Sequence, residues 1–236
     1  MKATSGSAFS TPRAELKMGS EAIIKPASAL RKLLLFGGIL ASVTYFLAWV
    51  LGAMQWPGYN SVSQAVSELS ALGAPSRPLM LILLESWSAL TVAFGLGILA
   101  SSGANRPLRV VGWLTLVLGV VSLAGPLTPM HMRGAPQSLT DTMHIVMTIV
   151  DSVLIFLMVG FGAASFGPRF RIYSLATIFV MVLFGTLAAL DGPRLVSNQP
   201  TPWLGLTERV DIGAYLLWVM VFARLLWRDP QKEVQK

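Results

Sequence analysis

The stretch SLTDTMHIVMTIVDSVLIFLMVGFGAAS, Ser138–Ser165, is apolar apart from hydroxyl and sulfur groups, two acids and one histidine. A helix rises about 1.5 Å per residue and the hydrocarbon core of a bilayer is about 30 Å thick, so about 20 apolar residues span it. The stretch is long enough and reads as a membrane span. Working outward, Leu33–Met54, Leu79–Ser101, Val110–Leu127 and Ile172–Leu190 meet the same test directly or nearly so. Val210–Trp227 meets it when Asp211 lies at one interface and Arg224 snorkels towards the other. The composition agrees, with 54% hydrophobic and 12% charged residues. The expected fold class is therefore all-α, a polytopic membrane protein with six transmembrane helices in one bundle. The chain divides into a disordered basic cytoplasmic tail over 1–30, a membrane domain over 31–227 and a short cytoplasmic tail over 228–236.

Basic residues set the orientation. With both termini in the cytoplasm, 14 of the 18 Lys and Arg residues fall on the inner side. Only Arg77, Arg133, Arg194 and Arg209 stay outside. The net charge of +7 is then a property of lipid-facing segments, so the expected partner is the bilayer and not nucleic acid. The expected location is the cytoplasmic membrane. The first apolar run is too long for a signal-peptide core and lacks a small-residue cleavage site, so it reads as an uncleaved span. The chain has no cysteine, which excludes disulfides and thiolate metal sites. No cofactor is expected, and no protein partner is specified.

The first outer loop carries the strongest local signals. Ser61 and Gln64 match a capping box, Val62, Val66, Leu69 and Leu72 recur at helical spacing, and Gly73 with Pro75 supplies a stop. This predicts a short amphipathic helix lying on the membrane surface or capping the bundle, its polar face showing Ser63, Ser67, Glu68 and Ser70. Gly37/Ala41, Gly38/Ser42, Ala93/Gly97 and Gly160/Ala164 are spaced for close helix packing.

Ionisable residues inside spans are site candidates by default. At about 3.6 residues per turn, Asp141, His144, Thr148, Asp151 and Ser152 share one stripe of the fourth span, with Val146, Val150, Val153 and Leu157 opposite. If that span enters near Leu139, Asp151 lies about 18 Å down it, close to mid-membrane. There a carboxylate costs about 2.5 to 3.5 kcal/mol unless it faces the bundle. Glu85 lies two turns into the second span, and Glu208, Asp211 and Tyr215 share a stripe of the sixth. With Glu68 and Asp191, the outer half holds seven of the 11 acids. The binding candidates are Glu68, Glu85, Asp141, His144, Asp151, Glu208, Arg209 and Asp211. Three readings follow. The first is an ion-pair network in which Arg77, Arg133, Arg194 and Arg209 neutralise the acids and fix helix register. The second is an outer-facing acidic pocket for a small polar or lipid ligand, with proton coupling through Asp151 and His144. The third is an intramembrane hydrolase with a metal on His131, His144 and carboxylates. Only two histidines are present, and no HExxH or GxSxG motif occurs.

Three stretches carry a family resemblance: SVSQAVSELSALGAP (61–75), GPLTPMHMRG (125–134) with the following DTMH (141–144), and GLTERVDIGAYLLWVMVFARLL (205–226). The chain resembles the bacterial integral membrane family catalogued as domain of unknown function 998. The resemblance implies six spans and no settled activity. It draws attention to Glu68, Gly73, Pro75, His144, Glu208 and Arg209.

Overall fold

The computed structural model describes residues 13–228, with side chains from Ala29 onward. Several helices begin where the sequence supplies a start. Helix α1 runs Arg13–Gln55, α2 Arg77–Ser101, α3 Arg106–Ser122, α4 Leu139–Ala163, α5 Pro168–Leu190, α6 Gly192–Val196 and α7 Leu204–Trp227. Proline stands in the first turn of α2, α3 and α5, where its missing N–H has no intrahelical partner to lose. Ser138 and Asp141 close a reciprocal capping box on α4. Asn105 caps α3 through Leu108 N (3.1 Å) and donates to Ser165 O (3.0 Å), tying the α2–α3 turn to the end of α4.

Six helices are long and apolar enough to cross a membrane, and no strand occurs among the described residues. The helix α1 extends back to Arg13, into the stretch expected as a disordered tail. Residues 1–12 and 229–236, the rest of the two expected tails, lie outside the described residues.

Each long helix packs on its neighbour in the chain, and α7 returns between α5 and α1, so the six form a ring. The ends of the ring differ. Near the end that bears the termini, aromatic rings fill the centre: Trp218 stacks on Phe222 at 4.7 Å, and Phe166 and Phe170 press on Phe222 at 5.6 and 5.8 Å. The indole N–H of Trp218 donates to Ser174 Oγ at 2.9 Å. Gly162 lies so close beneath Trp218 that a Cβ would collide with its ring. Of the small-residue pairs, Gly37 and Gly97 do bring α1 and α2 together, since a Cβ there would lie 3.1 Å from Leu90 O and 2.9 Å from the Leu34 carbonyl carbon. The Gly160 pair does not pack, because Gly160 faces open space.

The loop-bearing end is looser. On α4, apart from Asp141, the buried residues are Met158, Val159, Gly162 and Ala163; on α5 none lies beyond Met181. The α4 face that buries Met158 and Val159 continues through Ile155, Ser152, Asp151, Thr148 and His144, and there it is accessible. The interior of the ring therefore opens into a cleft towards the loop end. Val146, Val150, Val153 and Leu157, on the far side of α4, are exposed as the lipid-facing reading expects.

Candidate functional site

The first loop covers the loop end as a folded lid. Its expected amphipathic helix is not formed over Ser61–Leu72, and the one helical piece is a four-residue 3-10 turn, Ser67–Ser70. The cap is Asn60: its Oδ1 accepts from Val62 N (2.9 Å) and Ser63 N (3.3 Å), while Gln64 Oε1 accepts from Asn60 N (2.8 Å). Only half of the expected apolar face is buried: Val66 and Leu69 are, whereas Val62 and Leu72 are exposed. Ala65, Val66, Leu69 and Ala71 are buried, and so is Glu68, at 2% exposure, despite its place on the expected polar face.

Other elements have claimed the backbone groups that a helix would use internally. The start of α7 takes several. Leu206 N donates to Val62 O at 2.9 Å, and Val66 N donates to Glu208 Oε2 at 2.6 Å. The guanidinium of Arg209 donates to Ser61 O (2.8 Å), Gln64 O (3.2 Å), Gly205 O (2.9 Å) and Tyr59 Oη (2.8 Å). Gly205 is pressed against the carbonyls of Gln64 and Ser61, so a Cβ has no room there. Tyr59 donates in turn to Ala65 O at 2.7 Å. Burial, opposed by Arg209, pushes its hydroxyl up to about 12, so it remains a donor at any working pH.

The loop between α3 and α4 clamps the other side. Arg133 grips Glu68 with a fork of two 2.9 Å bonds, Nε to Oε2 and Nη2 to Oε1, and this raises the Arg133 pKa further. Glu68 Oε1 also accepts from Ala65 N at 2.8 Å. Leu72 N donates to Met130 O at 2.8 Å. Asp141 accepts from His131 N (2.7 Å), His131 Nδ1 (2.9 Å), Ser138 N (2.8 Å) and Ser138 Oγ (2.9 Å). Asp191 holds Arg194 at 3.1 Å. The ion-pair reading therefore holds for Arg133 and Arg194. Arg77 bonds Ser70 O, and Arg209 bonds carbonyls and a hydroxyl, with no carboxylate in salt-bridge range among the described residues.

Beneath the lid, a second set of polar groups lines the cleft. The α7 face that buries Phe222 and Trp218 continues through Tyr215, Asp211 and Glu208. Asp211 lies over Gly185 of α5, whose Cβ would sit 3.5 Å from the carboxyl carbon. Asp151 accepts from Ser122 Oγ at 3.4 Å through one oxygen. The other Asp151 oxygen and Asp211 Oδ1 are buried and accept nothing from the described residues. Tyr45, packed edge-on against Trp87 at 5.2 Å, has its hydroxyl within electrostatic reach of Glu208, Asp151, Arg209 and Asp211. Tyr215 lies within reach of Asp151 and Tyr45.

The structure thus turns the stripes of α4 and α7 inward, with Asp151 resting on α3 and Asp211 on α5, and leaves Glu85 of α2 only partly buried. His144 is at the cleft rim with Nδ1 3.1 Å from Thr128 O, which leaves Nε2 as its acceptor side. Its Nδ1 and that of His131 both face protein acceptors. Among the described residues no three His, Asp or Glu side chains are grouped to hold a metal ion. Sequence reading missed Tyr45, Ser122 and Tyr59. A tyrosine hydroxyl in the middle of an apolar span was the available signal for Tyr45.

The fold is that of a polytopic membrane protein with six helices long and apolar enough to span a bilayer. The chain belongs to the family described as protein of unknown function DUF998, whose model matches residues 39–225. Neither a curated protein nor a solved structure matches it.

Proposed function

We propose that this protein binds a small polar or lipid ligand through a donor-bearing or cationic group in the acidic cleft, in a transport-like role. One observation carries the reading. Glu68, Asp141, Asp191 and Glu208 are consumed by lid and cap contacts, whereas Asp151 and Asp211 each keep a buried oxygen that accepts no hydrogen bond. A buried carboxylate oxygen without a donor costs stability, of the order of 1–3 kcal/mol or more. Such oxygens on the inward stripes of α4 and α7 are acceptors for a ligand that brings its own N–H or O–H groups. The second reading, a purely architectural one, is favoured for the lid residues by their contacts and gains nothing at Asp151 or Asp211. The basic residues at the end bearing the termini, among them Arg31, Lys32, Arg106, Arg109, Arg169 and Arg171, support an orientation with both termini in the cytoplasm and the cleft facing out.

The test is untargeted mass spectrometry of small molecules retained by the protein purified in native lipid patches, with Asp151→Asn and Asp211→Asn alongside. We expect a solute or lipid kept by the wild type and lost from both variants at unchanged melting temperature. Identical retention in all three removes the cleft from any binding role.

A further inference from the structure

The opposite face of α7 carries a second feature of opposite charge. Arg209, Gly213, Leu216 and Met220 follow at steps of four, three and four residues and so share a stripe, turned away from Asp211 and Tyr215. Between this stripe and α1 runs an open-sided groove of about 430 Å³, walled on the α1 side by Phe46 and Trp49. This is within the size range of ligand sites. Its one hydroxyl, Ser42 Oγ, is committed to Gly38 O (3.0 Å) and Leu216 O (3.1 Å). The wall is apolar except at the loop end, where Arg209 stands.

Arg209 keeps binding capacity. A guanidinium has five N–H groups. Nη1 is used on carbonyls and Nη2 once on Tyr59, while Nε donates to no group among the described residues. All its partners are neutral, and the neighbouring Glu208 carboxylate is turned to Val66 N instead. A full positive charge therefore sits at the head of an apolar channel about 16 Å long, measured from Arg209 to Met220. The bilayer supplies one molecule with matching parts, an anionic headgroup joined to an acyl chain.

We propose that this groove binds a single anionic phospholipid, its phosphate on Arg209 and one acyl chain laid past Phe46 and Leu216 towards Met220. Gly213 forms the floor, where an added Cβ would meet only Trp49, at 3.9 Å. The site does not depend on the acidic cleft, which lies across α7.

The test uses the full chain, delipidated in detergent and offered equal amounts of dioleoyl phosphatidylglycerol and dioleoyl phosphatidylcholine, with adducts read by native mass spectrometry. Both lipids carry a phosphate, but the choline ammonium offsets its charge and is repelled by the guanidinium, so we expect wild type to favour phosphatidylglycerol about tenfold. Gly213→Leu fills the floor and should abolish that adduct, and Arg209→Gln should remove the preference. Arg209 also ties down the lid, so Gly213→Leu, at a position outside the lid's hydrogen bonds, is the deciding variant. Equal uptake of the two lipids by wild type overturns the proposal, as does an undiminished phosphatidylglycerol adduct on Gly213→Leu. Orthophosphate bound in place of the lipid overturns it too, as does a lipid-independent dimer lost in Gly213→Leu, which would assign the groove to a second copy.

Discussion

At the residue scale, acids that look interchangeable in the sequence divide by their partners. Glu68 is 2% exposed and takes a two-bond fork from Arg133. Removing one member leaves a buried charge without its counterion, so Arg133→Ala should lower stability by about 3 kcal/mol, read as thermal unfolding in detergent. Glu68→Gln with Arg133→Gln should cost less than the sum of the single changes, and strict additivity would show that the pair is not coupled. Asp211→Asn behaves oppositely. Its unpartnered oxygen gives the folded state nothing to lose, so the melting temperature should hold or rise, and a fall of several degrees would reveal a partner. The periodicity of the fourth span made Asp151 legible as a stripe residue facing the bundle. Which acids are tied and which are open was not legible, because the deciding donors lie far away in the chain. Val66 and Glu208 are 142 residues apart, and Arg133 and Glu68 are 65 apart.

At the scale of elements, boundaries came from proline, capping residues and apolar length, which act within a few residues and can be read locally. The lid did not follow its own periodicity. Its carbonyls at Ser61, Val62 and Gln64 and its N–H at Val66 are bound by α7, and the Val66 N–H, with one hydrogen to give, cannot also close a helical turn. Gly205→Ala, which puts a methyl group against two of those carbonyls, should loosen the lid. Hydrogen exchange at the Leu206 amide would rise, with exchange in the Trp218–Phe222 region unchanged; no change at Leu206 would contradict the close approach. The two glycines near the end of α4 make a matched comparison. Gly162→Ala meets the Trp218 ring and should destabilise by about 1–3 kcal/mol. Gly160→Ala meets nothing and should be neutral or stabilising by up to about 1 kcal/mol. Thermal unfolding of both variants in one detergent checks the ordering. Both positions look alike in a small-residue count, and only the facing helix separates them.

At the scale of the molecule, the ring is closed by aromatic packing near the termini and held open near the loops, and α7 divides an acidic cleft from a groove headed by Arg209. The cysteine-free chain makes its orientation directly measurable. In intact cells a membrane-impermeant thiol reagent should label Ser197→Cys, in the exposed turn after α6, and should reach Ala104→Cys, in the exposed α2–α3 turn, only after lysis. The reverse pattern would invert the proposed topology. The sequence by itself determined the number of long apolar helices, their approximate limits and the gathering of acids at one end, because span length, proline position and the 3.6-residue repeat are local properties of a chain. The tertiary structure decided that α4 and α7 turn their polar stripes to a common interior, that the first loop folds as a lid and not a helix, and that Asp151 and Asp211 keep an unpartnered oxygen. Those outcomes depend on which distant donor reaches each acceptor first, and no stretch of sequence contains both.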